Sequence, residues 1–307
     1  MTRQASPPIC SQSAVVQIIP YFGQWPVYMD LYLYSCSRNP MMKFIFYTDC
    51  PLPEKTYANT EFKSISYGDY CKLVSKKLGI DFAPTHPYKL CDLRPFFAVI
   101  HEEDIAGYDF WSYGDIDVCL GDLRVLLNEE NLARFDLITT QDYHLAGHFS
   151  VFRNNEYFRN ACFGIPDWKN KLLEPHCIAL DELDMTHVVH PSLKYPKGIY
   201  NKVIKRLWPG CYHPMLGVWN RIVKPRMLFK MEHTSPEPKK GEKWVYDMRK
   251  GEIYKYGGGR LPYLHFLFFK DHPDASRSRW GKDYYKLTEP IDSYSQIEFT
   301  IDSITGV

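Results

Sequence analysis

The chain has 307 residues, 45% hydrophobic and 24% charged, which excludes a disordered chain, a collagen-like repeat and a coiled coil. Its 37 Lys and Arg against 36 Asp and Glu leave a net charge of +1, without the basic surplus of a nucleic-acid binder, so no nucleic-acid partner is expected. No apolar run reaches about 18 residues, so no transmembrane segment is expected, at most a peripheral membrane contact.

Residues 1–13 read as a disordered polar tail without the apolar centre of a signal peptide. Ala14–Ile19 is an apolar run of strand length, stopped by Pro20, and suits a buried parallel strand. Pro26–Asn39 has helical character. Phe44–Thr48 and Glu61–Ser66 read as strands, and Asp69–Leu78 as a helix closed by Gly79. Leu90, Leu93, Phe97 and Ile100 share a helical face. Asp109–Tyr113 and Asp136–Thr140 read as strands. Strands and helices alternating at short spacing predict an α/β fold with a mainly parallel sheet. The second half is less regular. Trp244–Tyr256 reads as a hairpin turning near Lys250-Gly251, and Leu261–Phe269 as a last apolar strand. Residues 14–270 are therefore read as one domain and 271–307 as a polar C-terminal extension. The nine cysteines are scattered without a CxxC, which argues against a disulfide framework or a zinc site and favours a reducing, cytoplasmic setting.

The sharpest signal is Tyr113-Gly114-Asp115-Ile116-Asp117. A strand delivers carboxylates at i and i+2, on one face if the strand continues. Such a pair calls for a cation, and oxygen ligands suit Mn²⁺ or Mg²⁺. The plain alternative is a solvated turn. A second signal is the apolar run Leu264–Lys270, which carries His265. Alone, His265 reads as a core histidine. Beside the two aspartates it completes a mixed nitrogen and oxygen site that Mn²⁺ accepts more readily than Mg²⁺. Lys270 would then neutralise a diphosphate leaving group.

With these residues in place, the chain resembles a GT-A-type glycosyltransferase that uses a nucleotide-sugar. The DxD and its strand, Tyr108–Asp117, occupy the middle position expected there, and His265 with Lys270 is similar to the His-x-Gly-x-x-Lys element of glycogenin-like transferases. Phe266–Phe269 lacks the glycine of that element. More closely, the chain resembles an uncharacterised glycosyltransferase-like family from bacterial polysaccharide clusters and some viruses. The resemblance lies in Ile18–Trp25, Phe46–Asp49, Pro87–Asp92, Trp111–Asp117, Gly121–Arg124 and Gly147–Asn154, and covers residues 14 to 270.

The resemblance implies a GT-A-like, Rossmann-related fold, a nucleotide-diphosphate sugar donor (UDP-sugar by first choice) and a glycan or glycoconjugate acceptor. It puts Pro20, Tyr21, Phe22 and Gly23 in the loop that cups the base and ribose, with Tyr21 or Phe22 either stacking on the base or packing as core aromatics. Asp49 would reach the ribose or base, or cap a turn. Lys89 first and Asp92 second would touch the donor sugar or phosphate, with Asp92 also a fair helix cap; Arg94 would pair with Asp122 or Asp92. Gly114 lets the backbone approach the donor, and Asp115 binds the metal or the ribose. Gly147 and His148 would line the sugar and begin the acceptor site. Asp181 or Glu182 would supply the catalytic carboxylate, whether the enzyme inverts or retains, unless the pair is a charged first helical turn. Two other readings compete: a catalytically inactive carbohydrate-binding or scaffold protein on the same fold, and a nucleotidyltransferase or phosphoesterase. The intact DxD with His265 argues against the first. The absence of a Gly-rich loop opening a helix argues against the second.

Overall fold

The computed structural model describes residues 14–193, 211–270 and 284–307, with the side chains of Tyr212 and Lys270 outside that description. The tail 1–13 lies outside the described residues. A seven-stranded sheet forms the centre. In chain order its strands are β1 (Val15–Pro20), β2 (Met42–Thr48), β3 (Thr60–Ser64), β4 (Phe110–Gly114), β6 (Leu137–Thr139), β7 (Phe149–Arg153) and β8 (Met227–Phe229), arranged β3-β2-β1-β4-β7-β6-β8. The β3, β2, β1 and β4 ladders are parallel, β7 runs against β4 and β6, and β8 is parallel to β6. This is the expected α/β architecture with a mixed, mainly parallel sheet, and the DxD follows directly on β4.

Apolar residues on both faces of β1 explain its central place, since Val15, Val16, Ile18 and Ile19 are all buried. Helix α1 (Met29–Ser37) and the β5 segment (Val118–Leu120) pack on one side. On the other side lies helix α2 (Tyr67–Leu78), with the segment 87–105. Ser66 caps α2 by accepting from the Asp69 amide, and Gly79 ends it at φ +64°, where glycine carries no Cβ penalty. The helical face read at Leu90–Ile100 is a ten-residue 3₁₀ stretch, Pro87–Phe96, followed by a single α turn, Phe97–Ile100.

The hairpin at Lys250-Gly251 forms as read, β9 (Lys243–Asp247) against β10 (Glu252–Lys255). The last apolar strand does not run from Leu261 to Phe269. Pro262 breaks it into β11 (Arg260–Leu261) and β12 (Tyr263–His265), and the chain then turns into a short helix, Leu267–Lys270. Residues 284–307, read as a polar extension, supply β13 (Gln296–Thr300) and β14 (Ile304–Gly306). They complete a second, antiparallel sheet ordered β11-β10-β9-β13-β14. No described helix is long and apolar enough to cross a membrane.

Candidate active site and metal centre

One backbone ladder and a further backbone hydrogen bond bring the DxD and the late histidine together. β12 pairs antiparallel with β5, placing His265 opposite Val118, one residue beyond Asp117. The Phe266 amide also donates to the Asp117 carbonyl at 2.8 Å. His265 Nε2 then lies 3.6 Å from both Asp115 Oδ2 and Asp117 Oδ2. Its Nδ1 meets Ser235 Oγ at 2.8 Å, which aims Nε2 at the carboxylates. Among the described residues, Asp115, Asp117 and His265 form a group whose ligand atoms lie within 4.8 Å of one another. Two carboxylates and one imidazole suit a divalent cation such as Mn²⁺, and Asp117 and His265 are nearly buried while Asp115 faces the cavity.

This group sits in the wall of a cavity of about 940 Å³, which Pro20, Tyr21, Phe22, Gly114, His148, Asp181 and Glu182 also line. A Cβ on Gly114 would lie 2.9 Å from the His148 carbonyl, so glycine is what lets β4 end this close to β7. Tyr21 stacks on Trp25 and is partly open to the cavity, whereas Phe22 is buried edge-on against Tyr67. Gly23, at φ +106°, and Asp49 act on the loop itself: the Gly23 amide donates to Asp49 Oδ1 at 2.8 Å. Lys270 belongs to the Leu267–Lys270 turn, but its side chain lies outside the described residues.

Asp181 and Glu182 start a wide, π-type helical turn, Leu180–Asp184, entered through Ala179 in the left-handed region at φ +57°. Arg94 connects them to the metal group. Its Nη1 donates to Asp181 Oδ2 at 2.7 Å and its Nη2 to Asp115 Oδ1. The sequence reading paired Arg94 with Asp122 or Asp92; the structure corrects this. Asp122 instead meets Arg124 and Arg260. Burial opposes the Arg94 charge, but Asp115, Cys91 and Asp181 outweigh it and hold the guanidinium charged. Burial also pushes the Asp181 carboxyl up to about 6, with Arg94 restraining the rise. Gly147 presses against this centre. A Cβ there would lie 2.8 Å from Arg94 Nη1 and from Asp181 Oδ2, and the Gly147 amide donates to Glu182 Oε1 at 3.3 Å.

His148 falls beside the metal group rather than on the far wall. Its ring centroid is 4.5 Å from that of His265, and its Nδ1 meets Tyr263 Oη at 2.7 Å. Burial, then the neighbouring His265, holds its pKa well below the ordinary histidine value, so it is neutral.

Lys89 and Asp92 are not in the cavity wall, which corrects their reading as donor contacts. Both are buried and paired at 2.8 Å. Lys89 Nζ also donates to the carbonyls of Lys171 and His176, each at 2.9 Å, so its three donors are used. Asp92 accepts from the amides of Ile178 and Leu180, fastening the approach to Asp181. Lys89→Met leaves Asp92 charged and buried without its cation, so it should lower unfolding free energy by about 3 to 5 kcal/mol. Urea melts followed by circular dichroism measure this, and a loss below about 1 kcal/mol would refute the structural role, since that is the worth of an exposed pair.

The structure thus places an aspartate and histidine metal-type group at the carboxyl edge of an α/β sheet. The chain belongs to the family described as "Family of unknown function (DUF6625)", whose model matches residues 17–270. No curated protein matches it in sequence. Among solved structures, the chain is similar to the galactosyltransferase LgtC in complex with donor and acceptor sugar analogues. Identity is 13%, coverage is 57% of this chain and 70% of that one, and the TM-score is 0.33. The glycosyltransferase GlyE of Streptococcus pneumoniae TIGR4 is similar at 12% identity over 72% of this chain and 46% of that one, with a TM-score of 0.27.

Proposed function

We propose that this chain is a metal-dependent glycosyltransferase that moves a sugar from a nucleotide-diphosphate donor to a hydroxyl of a glycan or glycoconjugate. One observation carries the reading: a metal-type ligand group and a separate pair of carboxylates share one cavity, joined by Arg94. Sugar transfer needs charge relief at the leaving diphosphate and a carboxylate at the reacting hydroxyl or anomeric carbon, and these two groups divide that work. Asp115, Asp117 and His265 Nε2 would hold the cation. When bound, Mn²⁺ or Mg²⁺ supplies Lewis acidity that offsets negative charge on the departing nucleotide diphosphate. Arg94 keeps Asp181 oriented and favours its ionised form. Asp181 or Glu182 then takes the proton of the acceptor hydroxyl, or supports the anomeric centre if configuration is retained. Pro20–Gly23, with Asp49 shaping the loop, would receive the base and ribose.

Thermal unfolding with UDP-, GDP-, CMP- and dTDP-sugars, each with and without Mn²⁺, tests the reading. A ligand present at 100 times its Kd stabilises by about 2.7 kcal/mol, so one donor class should raise the midpoint by several degrees, and only with metal. No shift with any donor would reject the function, and an equal shift in EDTA would reject the metal.

A further inference from the structure

Nothing in the proposed chemistry uses the thiols of Cys91 and Cys177. Both line the same cavity, and the two side chains interact directly with each other. Both are partly exposed, whereas Cys36, Cys50, Cys71, Cys119 and Cys162 are buried. The two come from segments 86 residues apart in sequence, and each segment carries a member of the central ion pair. Cys91 is three residues before Arg94 on the 3₁₀ stretch, and Cys177 is four before Asp181. Asp92 already fastens these segments through the Ile178 and Leu180 amides, and its Oδ1 lies 3.6 Å from Cys177 Sγ. The two segments are thus pinned to each other beside the thiols, and both cysteines line a cavity that small molecules can reach.

We propose that Cys91 and Cys177 form a thiol–disulfide exchange site whose ligand is a small-molecule disulfide of the glutathione type. The Cys177 thiolate attacks one sulfur of that disulfide, a mixed disulfide forms, and one small thiolate leaves and takes up a proton. Cys91 gives up its proton and attacks Cys177 Sγ, the Cys91–Cys177 bond forms, and the second small thiol departs. Two protein thiols are oxidised and one small disulfide is reduced to two thiols. Cys177 is the first attacker because it is the less deeply packed of the two thiols and so the more open to the incoming disulfide. The crosslink ties the Arg94 segment to the Asp181 segment, so the redox state of the surroundings sets the freedom of the cavity wall. This site does not depend on the sugar-transfer reading.

The folded full chain is incubated with oxidised glutathione, alkylated and mapped by mass spectrometry under non-reducing conditions. The expected product is a Cys91–Cys177 crosslink that dithiothreitol reverses. Cys91→Ser should stop at a glutathione adduct on Cys177, while Cys177→Ser should leave Cys91 largely unmodified. Adducts on Cys211 with no Cys91–Cys177 crosslink would overturn the site, as would a crosslink that appears only in urea. An adduct on Cys91 in the Cys177→Ser protein, as fast as that on Cys177 in Cys91→Ser, would overturn the order of attack.

Discussion

Asp117→Ala is expected to weaken Mn²⁺ binding by about 100-fold or more, since even outer-shell partners of a metal cost about 10- to 100-fold. Asp117 is 6% exposed and lies 3.6 Å from His265 Nε2, and its backbone carbonyl anchors the turn after β12. Asp115 already shares one oxygen with Arg94, so it cannot replace the lost carboxylate without giving up that pair. Isothermal titration with Mn²⁺ reads the affinity directly, and the same variant should lose the metal-dependent part of nucleotide-sugar binding. Because the backbone carbonyl is untouched, the fold should survive, which far-UV circular dichroism in EDTA checks. Wild-type Mn²⁺ affinity in a folded Asp117→Ala protein would end the metal assignment.

Asp181→Asn should cut turnover by about 10²- to 10⁴-fold, or about 3 to 5 kcal/mol of transition-state stabilisation. Asparagine keeps the shape and a bond from Arg94 but cannot take a proton. Donor affinity should change little, so the effect separates as kcat against KM. The pH profile adds a second readout. With the Asp181 carboxyl pushed up to about 6, the ionised, active form is lost as pH falls through that value, and wild-type turnover should drop on the acid side. The linked effect on stability has the opposite sense to that of an ordinary salt-bridged aspartate. The folded state holds this proton more tightly than the unfolded one, so stability contributed by Asp181 falls as pH rises from 3.8 to about 6. Asp181→Asn should remove that slope. Near-full turnover in Asp181→Asn and Glu182→Gln would show that the carboxylates are structural and move the search for the base to Asp142 or His148.

The DxD was readable because its chemistry is local: two carboxylates two residues apart where an apolar strand stops. His265 stood out as the lone imidazole in an apolar run, but its partner strand was not visible, since the β5 and β12 register links residues 143 positions apart (Tyr263 opposite Leu120). Arg94 was assigned the wrong partners because a long, flexible side chain is placed by tertiary structure. Asp115 and Asp181 are 21 and 87 residues away, while the rejected Asp92 is close by. The unused signal was the two acidic pairs, Asp115 with Asp117 and Asp181 with Glu182, beside which a cation is favourable. Lys89 and Asp92 were read as donor contacts although they stand at i, i+3, a spacing that joins opposite charges on a helical turn; their burial is set by tertiary packing. β13, read as part of a polar extension, was missed although its pattern is there: Gln296-Ile297-Glu298-Phe299-Thr300 alternates, with Ile297 and Phe299 inward. β8 is three residues long and has no period to detect.

The second sheet also sets a schedule for biosynthesis. Phe266, next to the metal-type ligand His265, packs on Phe299 at 5.8 Å, and Leu264 shares a core with Ile297 and Ile304. β13 lies between β9 and β14, so β9 has an open edge until residues 296–300 have been translated. A nascent chain can therefore assemble the seven-stranded sheet and the DxD while Phe266, next to His265, still lacks its packing on Phe299. The chemistry-bearing cavity matures late, through contacts of long sequence separation, and such contacts form slowly. A ribosome-stalled intermediate ending before β13 would carry a formed central sheet and a β12 segment whose Leu264 and Phe266 are not yet covered.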